Sequence, residues 1–505
     1  MKQMNKFIKR SFILLILVGT QWGCKRDFLD VKPVARELEI NYYRNEAQAY
    51  EALVSIYDAL QWNDQGGFTM FRMLLNVASD ECGAGGSDAS DQPSWVAWDQ
   101  FKTNPNLGPQ AGFWKKNYRG IYRANLFLEK INQIPDASSA FKSRTIAEAK
   151  CLRAKFYMDL LQLFGRVPLI TKTLLPSDYY SVKQENPDVI FSQIERDLLE
   201  AIPDLPLATA VGSAELGRLT KGAAQAMLAR GYLYMNRNDK MGDVAKLCEE
   251  VINSNAYDLE KNYGDIFKPS SEFGKESVFE IAYSENARSD WGSFGSGWGE
   301  GNVAVQFVGM RDYNGPLFAP GWGFAPVNKS LADLLRGDPR FAHTIIDADT
   351  ISGGSYSKGY QNTGFFIRKY APIAANKASD GEPALNWGNN IREIRFADVL
   401  LMAAEGLVRS GGSDAAAQTY LNRVRNRVGL SAIASTGNLL LLDIYKERQL
   451  ELATEGHRFF DLVRTNQASS VLSVDGFIKG VSEFLPIPQN EIDASQGVIT
   501  QNKGY

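Results

Sequence analysis

The sequence predicts a mainly all-α protein, built from tetratricopeptide-like helical pairs with loop-rich insertions. Three observations carry that expectation. Apolar residues recur every three or four positions in many separate segments, the spacing that lines one face of a helix. Segments 218–236 and 241–254 form a helix pair in which Leu228, Ala229 and Tyr232 have a spacing reminiscent of a tetratricopeptide repeat. Two blocks, 63–110 and 284–327, interrupt this periodicity with glycine, proline and tryptophan.

The first helix is expected over 43–61, where Ala49, Leu53, Ile56 and Leu60 share a face. The block 63–110 follows, a long and partly structured loop holding Trp95 and Trp98 among glycines and prolines. Helices return over 111–134 and 141–164, with Leu152, Phe156, Leu160 and Leu163 on one stripe. Gly165 and Pro168 stop the second of them. Pro187 opens a helix over 187–202 at a position proline favours. After the pair at 218–254 comes the block 284–327, with Trp291, Phe294, Trp298, Phe307, Tyr313, Phe318, Trp322 and Phe324. Its closely spaced glycines at 292–299 lack the Gly-Lys-Ser/Thr sequel of a phosphate loop. Helices are expected again over 391–409, 413–428 and 439–456, and the prolines at 486 and 488 extend the chain near its end.

The N-terminus reads as an export signal. Lys2, Lys6, Lys9 and Arg10 precede a short apolar run, Phe12 to Val18, and then Gly23 and Cys24. The run is shorter than the roughly 20 residues a spanning helix needs. Cys24 after Gly23 resembles a bacterial lipoprotein box, in which the cysteine is acylated and becomes the first mature residue. Residues 1–23 are then signal peptide and 24–505 a single domain. Net charge is −3, and loss of the four basic signal residues makes it −7, which disfavours nucleic acid as a partner. Cys82, Cys151 and Cys248 remain, an odd number, with two of them in helical segments where buried inert thiols are usual.

The two histidines, His343 and His457, supply no His-Glu-x-x-His zinc motif, and no Gly-x-Ser-x-Gly elbow is present. No catalytic residue, metal ligand or cofactor site is assigned. Glu447, Arg448, Glu451, Glu455, His457, Arg458, Asp461 and Arg464 imitate an acid–base site, but are expected to form a structural ion-pair network. The loop acids Asp80, Glu81, Asp88 and Asp91 fit no standard calcium loop and are expected to be solvated. The tryptophans carry more information. A pyranose ring presents C–H faces, and indole is the largest flat partner for them. Sugar hydroxyls then need donors and acceptors nearby. Trp95 and Trp98 with Asp80, and Trp291, Trp298 and Trp322 with Arg311 and Asp312, are therefore the candidate ligand-binding residues. The competing reading is that these rings pack the undersides of their loops.

Five stretches together resemble the SusD/RagB family of surface glycan-binding outer-membrane lipoproteins. They are Cys24-Lys-Arg-Asp-Phe-Leu-Asp-Val; Phe164-Gly-Arg-Val-Pro-Leu; Ile394 through Glu405; Lys446 through Arg464; and Leu485-Pro-Ile-Pro-Gln-Asn-Glu-Ile-Asp with the ending Gln501 to Tyr505. The resemblance implies a helical body with tetratricopeptide-like pairs, a lipid anchor at Cys24 and display on the outer face of the outer membrane. It implies a partner, a SusC-like TonB-dependent transporter, over which the protein sits as a lid. It also implies oligosaccharide binding without cleavage, no enzyme activity and no cofactor. The alternatives are the same scaffold carrying peptide or another nutrient, or a helical-repeat assembly scaffold. A glycosidase ranks last, because its two carboxylates at a set separation are not visible in a sequence.

Overall fold

A computed structural model describes residues 42–62, 70–287, 289–292 and 299–505. The expected signal segment and Cys24 lie outside the described residues. From Asn45 to Tyr505 the chain forms one compact unit, and it is mainly helical.

Among the described residues, nine helices of thirteen or more residues build the framework. They are α1 (Glu46–Gln61), α2 (Gln110–Lys130), α3 (Ser139–Phe164), α4 (Pro187–Ala201), α5 (Lys221–Tyr234), α6 (Met241–Asn253), α7 (Phe396–Arg409), α8 (Asp414–Arg427) and α9 (Gly437–Glu451). Their starts follow from local chemistry. Asn45, Ser138, Thr220 and Ser413 each accept a hydrogen bond from a first-turn amide, at 3.0–3.3 Å. These bonds satisfy amides that have no partner within the helix. Pro187 takes the first position of α4, where its missing N–H costs nothing. α3 ends at Gly165, whose φ of 67° and close approach to the Phe484 ring suit a residue without a Cβ.

Helices adjacent in sequence pack against each other from α1 through α6; α6 packs on α7, and α7 on α8 and α9. This succession is the repeat-like arrangement anticipated from the periodicity. Apolar faces meet in its interior: Leu53, Ile56 and Leu60 of α1, Leu152, Phe156, Leu160 and Leu163 of α3, and Leu400 and Ala403 of α7 are all buried. Burying each large side chain contributes about 1.5–3 kcal/mol. The carbonyl of Leu163 receives the Leu485 amide at 2.7 Å, so the extended C-terminal segment closes over the end of α3.

Three two-stranded antiparallel sheets occur among the described residues: β1 (Val167–Pro168) with β2 (Gln184–Glu185), β3 (Ser277–Ile281) with β6 (Ile391–Arg395), and β4 (Ile345–Asp347) with β5 (Phe365–Ile367). β6 corrects the expected helix over 391–409. Ile391 to Arg395 is a fully buried strand paired with β3, and α7 begins only at Phe396. Its register places Arg392 and Arg395 among buried carboxylates, a tertiary constraint that overrides local periodicity. The block 63–110 is also more structured than expected, since it holds short helices at Phe71–Val77 and Pro93–Asp99. Six further short helices among the described residues, Ala304–Val308, Lys329–Leu335, Phe341–Thr344, Arg458–Arg464, Ala468–Leu472 and Gln489–Ala494, lie outside the anticipated set.

Candidate functional site

The acid-rich motif that runs from the last turns of α9 to Arg464 folds into a buried ionic framework. Arg395 donates to Glu455 at 2.7 Å, to Glu276 at 2.6 Å and to Glu451 at 3.0 Å. Arg340 reaches Glu447 at 2.6 Å and Glu451 at 3.1 Å, and Lys369 reaches Glu455 at 2.7 Å. Burial drives the Asp461 carboxyl up, but Arg448 and Arg464 outweigh it and hold the group at about 2. His457 is pushed down to about 3 by burial and by the Arg230 and Arg72 charges, so it stays neutral. Each carboxylate of the motif has a cation, and the expected structural network is what forms. Arg458 grips Asp80 through two bonds of 2.8 and 3.0 Å. Asp80 is therefore a framework residue, and its assignment as a sugar-hydroxyl partner is corrected.

Trp95 and Trp98 are corrected as well. Both sit on the inner side of the short helix Pro93–Asp99, 1% and 3% exposed. Trp95 meets the rings of Phe307 and Phe324 edge-on at 5.6 and 5.8 Å; Trp98 meets Phe113 and Phe459. Neither presents a face to solvent. For these two the packing alternative holds, because the helix turns their side of the loop into the core. The four loop acids go to separate partners. Asp88 and Asp91 bind Ser90 and Ser87 within their own loop. Glu81 is buried, and burial with the nearby Asp80 charge pushes it up to about 8.

The second block behaves differently. Trp291 and Trp322 stack with ring centres 5.9 Å apart and planes 25° from parallel. Trp291 is 50% exposed and Trp322 is half-buried. Below them, Phe307 lies 4.9 Å and Phe324 5.5 Å from the Trp322 ring, and Trp95 supports both phenylalanines. The result is a solvent-facing indole floor resting on an aromatic core.

Backbone pairing holds that floor in place. Residues 82–86 run along 323–327, with Gly85 and Gly86 donating to the carbonyls of Phe324 and Gly323. Trp322 donates its amide to Gln306 at 2.9 Å, and Gly323 to Gly309 at 2.8 Å. A Cβ on Gly321 would stand 2.3 Å from the Gly309 backbone, so only glycine permits this approach. Trp291 is placed by its neighbour Ser289, which is buried and exchanges bonds of 2.8 Å with Asn386. A third loop joins through Tyr360, which donates to Gly86, and Gln361, which shares the Asp99 carboxylate with the Ala84 amide.

Arg311 borders the floor. Its guanidinium reaches the Trp322 carbonyl at 3.4 Å, with Asp91 at 3.6 Å and Asp312 at 3.7 Å. Asp312 is exposed, on backbone in the left-handed region at φ 48°. Trp291, Trp322, Arg311 and Asp312 are thus brought to one surface, as the composition of the block suggested. Trp298 lies outside the described residues. The sequence alone reads Asp91 as a solvated loop acid and passes over the 353–361 loop; both join this surface through long-range pairing. Chemically, the surface offers a flat apolar floor rimmed by a cation and two carboxylates.

A family model described as the SusD family matches residues 348–505, and one described as starch-binding associating with outer membrane matches residues 27–233. A laminarin binding SusD-like protein of solved structure is 41% identical, with a TM-score of 0.86 over 92% of this chain and 100% of that one. The surface glycan-binding protein A from Bacteroides thetaiotaomicron, solved in complex with laminarihexaose, is 31% identical, with a TM-score of 0.82 over 90% of this chain and 99% of that one. A SusD-like protein of Formosa agariphila is 26% identical over 551 residues, spanning 99% of each chain.

Proposed function

Since the chain belongs to the SusD family, we infer that it binds oligosaccharide at the cell surface and passes it to a TonB-dependent outer-membrane transporter, without cleaving it. The observation that carries the reading is the stacked pair Trp291–Trp322 with Arg311 and Asp312 on its rim. Indole faces take up the C–H faces of sugar rings, and the rim groups answer the hydroxyls. One similar protein binds laminarin and another is solved with laminarihexaose, which makes a laminarin-type oligosaccharide the first ligand to try.

Cys24 would carry the lipid that holds the mature chain on the outer membrane. Cys24→Ala should then leave the protein unlabelled by fatty acid and shift it out of the membrane fraction; an equally labelled variant refutes the anchor. A transporter partner predicts that a large β-barrel protein co-purifies from detergent-solubilised membranes. Binding itself is tested by calorimetry with laminarihexaose. Loss of one stacking platform costs about 1–3 kcal/mol, by analogy with base–aromatic stacking, so Trp322→Ala should weaken binding roughly tenfold or more. Unchanged affinity in a folded Trp322→Ala variant would refute the platform.

A further inference from the structure

A second concave surface lies on the other side of the 317–321 segment. It is a cleft of about 940 Å³, within the size range of small-molecule sites. The chain 371–374 forms part of its wall and bonds to Leu317 and Ala319, so the cleft and the tryptophan floor share one structural partition. A packed apolar cluster of Met310, Phe318, Phe366 and Ala371 fills that partition.

Charge in the cleft is one-sided. Asp265 is its single lining carboxylate and is taken by Lys268 at 2.6 Å. Lys369 and Arg427 line it too, but are neutralised from behind by Glu455, Glu276 and Glu451. Lys261 and Arg368 face it with no carboxylate partner among the described residues. The Arg368 guanidinium lies over the ring of Phe318, 5.7 Å away. Although the residue is exposed as a whole, partial desolvation without a counter-charge lowers its pKa. His343 lies alongside and is lowered by its own desolvation and by Arg368. Arg427 is 3% exposed, and its Nε has no hydrogen-bond acceptor. Asn262, Asn376 and Asn389 add amides to the wall, and amides both donate to and accept from hydroxyls.

We propose that this cleft is a second binding site, for saccharide units bearing an oxyanion, a carboxylate or a sulfate ester, with Arg368 and Lys261 as the groups that recognise the charge. The choice of saccharide over another anion rests on the glycan reading above. Two unneutralised cations beside hydroxyl-matching amides suit an acidic sugar better than a neutral one. A charge-assisted hydrogen bond is the stronger kind, so the anionic group should dominate selectivity at this site.

The test is calorimetry at low salt on the full chain in detergent, using four probes: neutral laminarihexaose, sulfated laminarihexaose, a hexasaccharide of glucuronic acid, and an oligoglutamate peptide. At least one acidic saccharide should bind about tenfold more tightly than the neutral one, and which one distinguishes sulfate from carboxylate. That advantage should persist in Trp322→Ala and vanish in Arg368→Gln, with Lys261→Gln losing part of it. Melting temperature and neutral-sugar affinity of the two cleft variants should match the parent. The proposal is overturned if Arg368→Gln keeps the acidic preference, or if neither acidic saccharide is preferred. It is also overturned if oligoglutamate binds there and the acidic saccharides do not, which would mark the cleft as a protein-docking site. Failure of neutral laminarihexaose to bind the parent counts against the tryptophan floor and leaves the cleft result readable.

Discussion

Around Arg395, charged side chains are sealed in the interior and each carboxylate has its cation. Around Trp322, the charged side chains border solvent, and two indoles lie face to face with one of them half exposed. The first region has the residue types of an active site and serves as scaffold. The second reads in sequence as a glycine-rich loop and carries the proposed recognition surface. Residue type is the same kind of clue in both. Burial and pairing separate them, because a fully paired buried carboxylate has its hydrogen-bonding capacity taken, while an exposed flat ring presents apolar surface to solvent.

The contrast is broken most directly at Arg395. Arg395→Ala leaves Glu276, Glu451 and Glu455 short of a cation in the interior, and removing one partner of a buried ionic group costs about 3–5 kcal/mol. Urea unfolding should show a loss of that size; a change within about 0.5 kcal/mol, typical of surface positions, would end the scaffold reading. Trp95→Ala should cost a similar amount, about 3–5 kcal/mol, through the cavity left under Phe307 and Phe324. A stable Trp95→Ala variant with lost sugar binding would return that residue to the ligand-binding set.

Glu81 lies where the two regions join, accepting the Thr454 amide at 2.9 Å while the chain runs on to Gly85. Its carboxyl is raised from 4.5 to about 8, by burial first and the Asp80 charge second. The folded state therefore holds the proton more tightly than the unfolded chain. That contribution to stability is complete below the ordinary carboxylate value and is lost as pH rises through about 8. The urea midpoint should fall between pH 5 and pH 9, and Glu81→Gln should flatten that slope; parallel slopes in the two proteins would contradict the assignment. The smallest stability effect belongs to Trp291→Ala, within about 0.5 kcal/mol. Its affinity for laminarihexaose should nonetheless fall by about 1–3 kcal/mol. Comparable losses of stability and affinity would show that Trp291 packs instead of binding.

Much of the helical framework is legible in the chain. α1, α3 and α4 follow from 3–4 spacing, from caps at Asn45 and Ser138 and from Pro187, all signals within a few residues of one another. The ionic motif that runs from α9 to Arg464 was readable as structure from its own mixed charges, but most of its partners, Arg340, Lys369, Arg395 and Asp80 among them, come from distant parts of the chain. The candidate site was legible only in part. The aromatic excess of 284–327 identified the block, and four of its residues do converge. The same argument applied to Trp95 and Trp98 failed, because a short helix at Pro93–Asp99 turns both rings inward.

By itself, then, the sequence determined that most of the long helices form and that the two irregular blocks interrupt them. These properties depend on neighbours one to four positions apart. Tertiary structure alone decided that Ile391–Arg395 is a strand, that Asp80 belongs to Arg458, and which tryptophans face water. Those outcomes depend on partners more than a hundred residues away: Ser277–Ile281 for the strand, Arg458 for Asp80, and Phe307 and Phe324 over Trp95. The orientation of a ring in a loop is set by what packs beneath it, and no local pattern encodes that.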